Sequence, residues 1–229
     1  METIEKQIRK KLFTLKDEDY KKFTSKLIPT ISPDKIIGIR IPALRKFAKD
    51  FSKQNDSFLY LNLPSHFYFE ENNLHAFLIE NLRDYNLAME YTEKFLPNID
   101  NWATCDTFSP KIFKKYPHQV YEKIKEWLKS NEVYTIRYAI GLLLSNFLDE
   151  NFKKEMLRLV ADVKSDEYYV NMMIAWYFAT AMAKQPETTL FIIEEKSLSK
   201  FVQNKAIQKA KESRRISDEV KKYLETLKI

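Results

Sequence analysis

Apolar positions recur at steps of three and four along almost the whole chain, as in Ile124, Trp127 and Leu128, then Ile136, Ile140, Leu143, Leu144 and Phe147. This spacing lays an apolar stripe along an α-helix. The prolines agree with it. Ser32-Pro33, Ile41-Pro42, Leu63-Pro64, Ser109-Pro110, Tyr116-Pro117 and Gln185-Pro186 place the ring where a first helical turn tolerates a missing N–H. Ser109 before Pro110 is the clearest such start. From the middle of the chain onward the helices fall into antiparallel pairs, each with a longer first member and a short polar turn. Pairs are expected to start near His66, Asn101, Glu132, Glu167 and Leu198, a period of about 31 to 35 residues, which is in the range of helical repeats. A single pair is too small to bury its own face, so the expected fold is all-α, an α-α superhelix of stacked helical hairpins. The pairs occupy about 66–229 and the first 60 or so residues supply capping helices. No linker or low-complexity tract divides residues 1–229, which read as one domain.

Composition narrows the function. The 229 residues include only two glycines, Gly38 and Gly141, whereas phosphate-cradling loops and dinucleotide fingerprints need several. A hydrophobic content of 45% excludes general disorder. Lys and Arg number 38 against 32 Asp and Glu, a formal net charge of +6 with a pI near 9.1. Such a balance fits a polyanionic partner and fits an ordinary basic protein equally, so clustering must decide. Cys105 is the only cysteine, which excludes an internal disulfide framework and cysteine-based zinc sites and suits a reducing compartment. His66, His75 and His118 lack metal-ligand spacing, so no metal is expected. Met1 to Phe13 lacks the apolar centre of a signal peptide. The richest apolar stretch, Val170 to Ala183, is shorter than the roughly 20 residues of a membrane span. The reading is a cytoplasmic protein with no membrane contact.

Several residues stand out if the pairs stack in register and equivalent helices line one concave surface. Trp102 and Asp106 are four apart, so a helix sets them one turn from each other on one face. Asp106 falls toward a helix C-terminus, where the dipole disfavours a carboxylate. A core tryptophan with a solvated or salt-bridged aspartate accounts for the pattern too. Arg137 interrupts the apolar run Val133 to Phe147 at the place Asp106 holds in the preceding pair, with Gly141 one turn later. Glycine in a helix interior costs about 1 kcal/mol relative to alanine; it leaves room either for a phosphodiester or for a neighbouring helix. Tyr168, Met172 and Trp176 form a stripe at helical spacing, a pattern that usually faces a core. Basic residues concentrate at Lys200, Lys205, Lys209, Lys211, Arg214 and Arg215, with a smaller cluster of Arg40, Arg45, Lys46 and Lys49. A solvated helix face or a nucleic-acid-binding strip explains such runs.

Taken in order, Gly38-Ile39-Arg40-Ile41-Pro42-Ala43-Leu44-Arg45-Lys46, Asn101-Trp102 through Asp106, Ile136-Arg137-Tyr138-Ala139, Tyr168-Tyr169-Val170 to Ala175-Trp176, and Arg215-Ile216-Ser217 resemble the AlkD-type DNA alkylation repair proteins. That family consists of HEAT-like repeat DNA glycosylases, and the likeness runs over nearly the whole length. The resemblance implies that a concave face binds double-stranded DNA carrying alkylated bases. It implies that Trp102 and Trp176 flank the lesion-bearing nucleotide, that Asp106 is the catalytic carboxylate and that Arg137 binds backbone phosphate. Tyr168, Arg40, Arg45, Lys205, Lys209, Arg214 and Arg215 are the further DNA-contact candidates. The implied protein is a monomeric base-excision glycosylase with no metal or organic cofactor, cytoplasmic and nucleoid-associated when bound. A non-catalytic DNA-binding module, recognising shape or damage, and a protein scaffold are the competing classes.

Overall fold

A computed structural model describes residues 2–229, and every regular element among them is helical. Contacts gather into two compact units, Met1–Tyr116 and Pro117–Ile229. The first contains α1 (Ile4–Phe13), α2 (Glu18–Leu27), α3 (Ile41–Phe51), α4 (Asp56–Leu61), α5 (Phe69–Glu80), α6 (Tyr85–Phe95) and α7 (Trp102–Thr107). The second contains α8 (Pro117–Trp127), α9 (Val133–Asn146), α10 (Glu155–Ala161), α11 (Tyr168–Lys184), α12 (Pro186–Glu194), α13 (Lys200–Glu212) and α14 (Asp218–Thr226). The all-α expectation is met, and helices near in sequence pack on one another within each unit, as in an α-α superhelix: α3 on α5 and α5 on α6, then α9 on α11 and α11 on α13. No helix among the described residues is long and apolar enough to cross a membrane.

The expected period has a structural counterpart. The residues capping α5, α7, α9, α11 and α13 are Tyr68, Asn101, Glu132, Glu167 and Ser199, spaced by 31 to 35 residues. Three local expectations fail. Ser109-Pro110 opens only a five-residue 3-10 turn, Lys111–Lys115. The Ser109 amide is held by the Glu80 carboxylate at 2.8 Å, and Pro117 disfavours helical backbone at Tyr116, which stands at φ −129°, ψ 51°. For the same reason α7, six residues long, does not form the longer first member of a pair. Leu63-Pro64 opens no helix.

The first unit is organised by α5, all twelve residues of which are buried. Its carboxylates are therefore satisfied from outside the helix. Glu70 accepts the amides of Ile37, Gly38 and Ile39 at 2.8, 2.7 and 3.2 Å. Glu71 takes Arg9 at 2.8 Å and reaches back to the Tyr68 amide at 3.0 Å. The clasped segment includes Gly38 at φ +92°, where an added Cβ would lie 2.5 Å from the Lys21 Cβ and 2.6 Å from the Asp17 carbonyl oxygen. Left-handed backbone at a non-glycine residue costs about 1–3 kcal/mol before any clash. Gly38→Ala is therefore expected to destabilise the protein by at least about 2 kcal/mol, read from the urea midpoint.

Two histidines share the interior beside α5. His66 Nε2 lies 2.8 Å from His75 Nδ1, His66 stacks on Tyr60 and His75 on Phe95. Burial pushes their pKa values down, His66 to about 4 and His75 to about 3. The unfolded chain then takes up protons, near pH 6.5, that the folded chain refuses, so this part of the stability is present above pH 6.5 and is lost as pH falls toward 4. Each histidine adds a slope of up to about 1.4 kcal/mol per pH unit. Glu70 and Glu80, whose carboxyls burial pushes up, act in the opposite sense. Urea titrations between pH 7.5 and 4.5 should show stability falling less steeply in His75→Phe than in wild type.

Candidate nucleic-acid interface

Trp102 and Asp106 lie at the first and fifth residues of α7, a helix too short to be stable alone. Both of its ends are tied to α5. At the start, Asn101 Oδ1 accepts the Thr104 amide at 2.8 Å, and the Thr104 hydroxyl donates to Asn73 Oδ1 at 2.8 Å. At the end, Glu80 takes the Ser109 amide and pairs with Arg45, which also donates to the Thr107 carbonyl at 3.1 Å. That guanidinium offsets the negative end of the α7 dipole near Asp106. Arg45 also sits 3.9 Å over the Phe77 ring, so within this unit it positions α7. Trp102 is half-buried against Ile28, Ile31, Ile36 and Phe69, and its indole N–H donates to the Leu27 carbonyl at 3.3 Å. The Asp106 residue is exposed. Arg40 is exposed as well, paired with Asp17 at 2.8 Å and set over the Tyr20 ring.

In the second unit α11 turns its aromatic stripe outward. Tyr168 is 57% and Trp176 43% exposed, with Met172 half-buried between them, so the stripe is not core. Trp176 forms one wall of a cleft of about 280 Å³ lined by Ala179, Thr180 and Ala183 of α11, Lys209 and Glu212 of α13, and Ser213 and Arg215 after it. Alanines and a threonine on the turns after Trp176 leave its indole uncovered. Among the described residues, the side chains of Lys209, Arg214 and Arg215 have no ion pair or hydrogen bond, while the neighbouring Lys211 pairs with Glu225. Lys205 Nζ donates to Gln208 Oε1 at 2.9 Å.

Arg137 is placed differently. It is the fifth residue of α9, as Asp106 is of α7, but it is only 6% exposed and its guanidinium donates to the Tyr169 carbonyl. It does not line the Trp176 cleft. The structure thus brings Trp176, Lys209 and Arg215 together and leaves Arg137 under the N-terminal turns of α9 and α11. The sequence reading missed Glu212 and the small residues beside Trp176. Their signal was present, in Ala179 and Ala183 following Trp176 at one-turn steps and Glu212 three residues after Lys209. Among the described residues no group of three His, Cys, Asp or Glu side chains is arranged to hold a metal.

These features define an all-α protein of helical pairs with an aromatic, partly cationic cleft. Compared with known families, residues 8–210 match the DNA alkylation repair enzymes, and the chain belongs to that family. No curated protein matches it. Its role is accordingly in DNA alkylation repair, as an enzyme with DNA as partner.

Gly141 separates two explanations of its presence. An added Cβ would meet only the Met173 Cε, at 3.7 Å, an ordinary contact. Helix packing therefore does not require glycine there. Gly141→Ala should raise stability by about 0.5–1 kcal/mol in urea unfolding. If the open surface receives a phosphodiester, the same variant should bind duplex DNA more weakly in a fluorescence-anisotropy titration.

Proposed function

We propose that the chain is a monofunctional DNA glycosylase that hydrolyses the N-glycosidic bond of cationic alkylpurines, 3-methyladenine and 7-methylguanine, in duplex DNA. The observation that carries this reading is the outward-facing Trp176 beside Lys209 and Arg215, two cations with no protein partner. Unpaired cations next to an exposed indole suit phosphate and a base or sugar.

The chemistry needs few groups. A purine alkylated at N3 or N7 already carries positive charge, so the C1′–N bond breaks without protonation of the leaving base. The bond's electron pair goes to the purine, leaving a sugar with oxocarbenium character that water attacks at C1′, with loss of a proton. A fixed carboxylate lowers the energy of that sugar and orients or deprotonates the water. Asp106 takes this role, exposed on a helix held at both ends. The indole faces of Trp102 and Trp176 attract the positive charge, each contact worth about 0.5–2 kcal/mol. Lys209, Arg214 and Arg215, with Arg40, Lys205 and Tyr168, grip the DNA backbone, and Arg137 joins them at the α9 side. The protein acts as a monomer without a metal or organic cofactor.

The test is release of free 7-methylguanine and 3-methyladenine from methylated duplex DNA, followed by chromatography. Wild type should release base and leave abasic sites; Asp106→Asn should release it at least about 100-fold more slowly while binding DNA equally well. Base release at the wild-type rate by Asp106→Asn removes the catalytic role. Salt-sensitive binding without any release identifies a non-catalytic damage-binding module instead.

A further inference from the structure

The turn that follows α7, Lys111–Lys115, carries Lys111, Lys114 and Lys115. All three are exposed, and among the described residues none has an ion pair or hydrogen bond through its ammonium group. Because the turn is a 3-10 helix, with three residues and about 6 Å of rise per turn, the side chains of Lys111 and Lys114 stand one above the other. Like charges so placed repel. Glu80, whose carboxyl burial pushes up and whose contacts with Arg45, the Ser109 amide and the charge of Lys111 draw it back down, does not relieve them, since it is buried and already engaged by Arg45 and by Ser109. A turn of this length has little dipole for the lysines to offset.

The backbone beneath them is fixed. Phe113, 1% exposed, anchors the turn with its ring 6.1 Å from that of Tyr85, and Tyr116, the residue after the turn, stacks on Tyr85 at 4.6 Å. The Glu80 carboxylate holds the Ser109 amide at the entry. A ligand therefore orders only the lysine side chains and not the chain that carries them, which lowers the entropic cost of binding. Rigidly mounted ammonium groups at this spacing, with no anion of the protein between them, suit successive phosphates along one nucleic-acid strand. Each acts as a point charge and reads no base.

We propose that Lys111 and Lys114 hold successive backbone phosphates of duplex DNA, with Lys115 adding to the local potential, and that they do so on damaged and undamaged duplex alike. The turn begins five residues after Asp106, so this hold keeps α7 at the strand before any lesion is met. The proposal goes beyond the glycosylase reading: it needs DNA as the partner and is indifferent to whether a base is released.

Fluorescence anisotropy of a labelled, unmodified duplex, titrated with the full chain over a range of salt concentrations, tests it. Each phosphate contact contributes about 0.9 to the slope of log affinity against log salt, so Lys111→Gln with Lys114→Gln should lower that slope by about 1 to 2 and weaken binding about 10- to 60-fold at about 0.1 M salt. The loss should be the same on methylated duplex, and Lys111→Arg with Lys114→Arg should restore binding. Lys6 and Lys129 are also exposed and, among the described residues, without a side-chain partner. Changing both of these to Gln removes the same charge and should alter affinity by no more than about twofold. An unchanged slope in the Lys111 and Lys114 variant overturns the proposal, as does an equal loss in the Lys6 and Lys129 variant, which would make the effect one of net charge. A loss confined to methylated duplex overturns it too. All four lysines are exposed, so their replacement leaves the fold intact, as circular dichroism will check. Base release measured in parallel separates the two readings: a lowered slope with no release by wild type sinks the glycosylase and leaves the turn as a DNA contact, and release with an unchanged slope sinks the contact alone.

Discussion

The first unit depends on one constraint: α5 is buried on every side and still carries Glu70, Glu71, Asn73, His75 and Glu80. A carboxylate taken out of water without partners costs several kcal/mol, so the chain around α5 must supply donors at fixed places. Glu70 gathers three consecutive amides, 37 to 39, and thereby fixes the approach to α3. That helix presents Arg45, which with Glu80 closes the far end of α7. Asn73 secures its near end through Thr104. The exposed Asp106 is thus placed by Asn73 and Glu80, which are buried, and by Arg45, which is partly exposed. A surface carboxylate on six residues of helix would otherwise fray with them.

The second unit solves a different problem. Here α9, α11 and α13 pack side by side, and their cores are apolar, with Val170, Met173, Ile174, Tyr177, Phe178 and Ala181 of α11 buried. An arginine in such a setting needs acceptors. Arg137 finds one in the Tyr169 carbonyl, which joins the first turn of α11 to α9 and holds Tyr168 next to it at the surface.

The helical periodicity and, to within two residues, the starts of α5, α7, α9, α11 and α13 were legible in the sequence, because each depends on residues within a turn or two. What escaped depends on long separations. The shortness of α7 follows from Glu80, 29 residues before the Ser109 amide it captures. The engagement of Arg45 follows from Thr107, 62 residues later. Nothing local marks Glu70 as buried, since glutamate on a helix is ordinarily solvated. The stripe of Tyr168, Met172 and Trp176 misled in the other direction: its spacing is that of a core face, and only the absence of a covering helix makes it a surface.

The net charge of +6 takes on a narrower meaning once the partners are known. Many lysines and arginines of this chain are already balanced, as Lys16 is by Glu18, Arg40 by Asp17 and Arg158 by Glu195, and a balanced cation releases few counterions when DNA arrives. What remains beside Trp176 is a small set, Lys209 and Arg215, with Arg214 adjoining in sequence. Each phosphate neutralised contributes about 0.9 to the slope of log affinity against log salt, so a cluster of this size gives only a moderate electrostatic hold at physiological ionic strength.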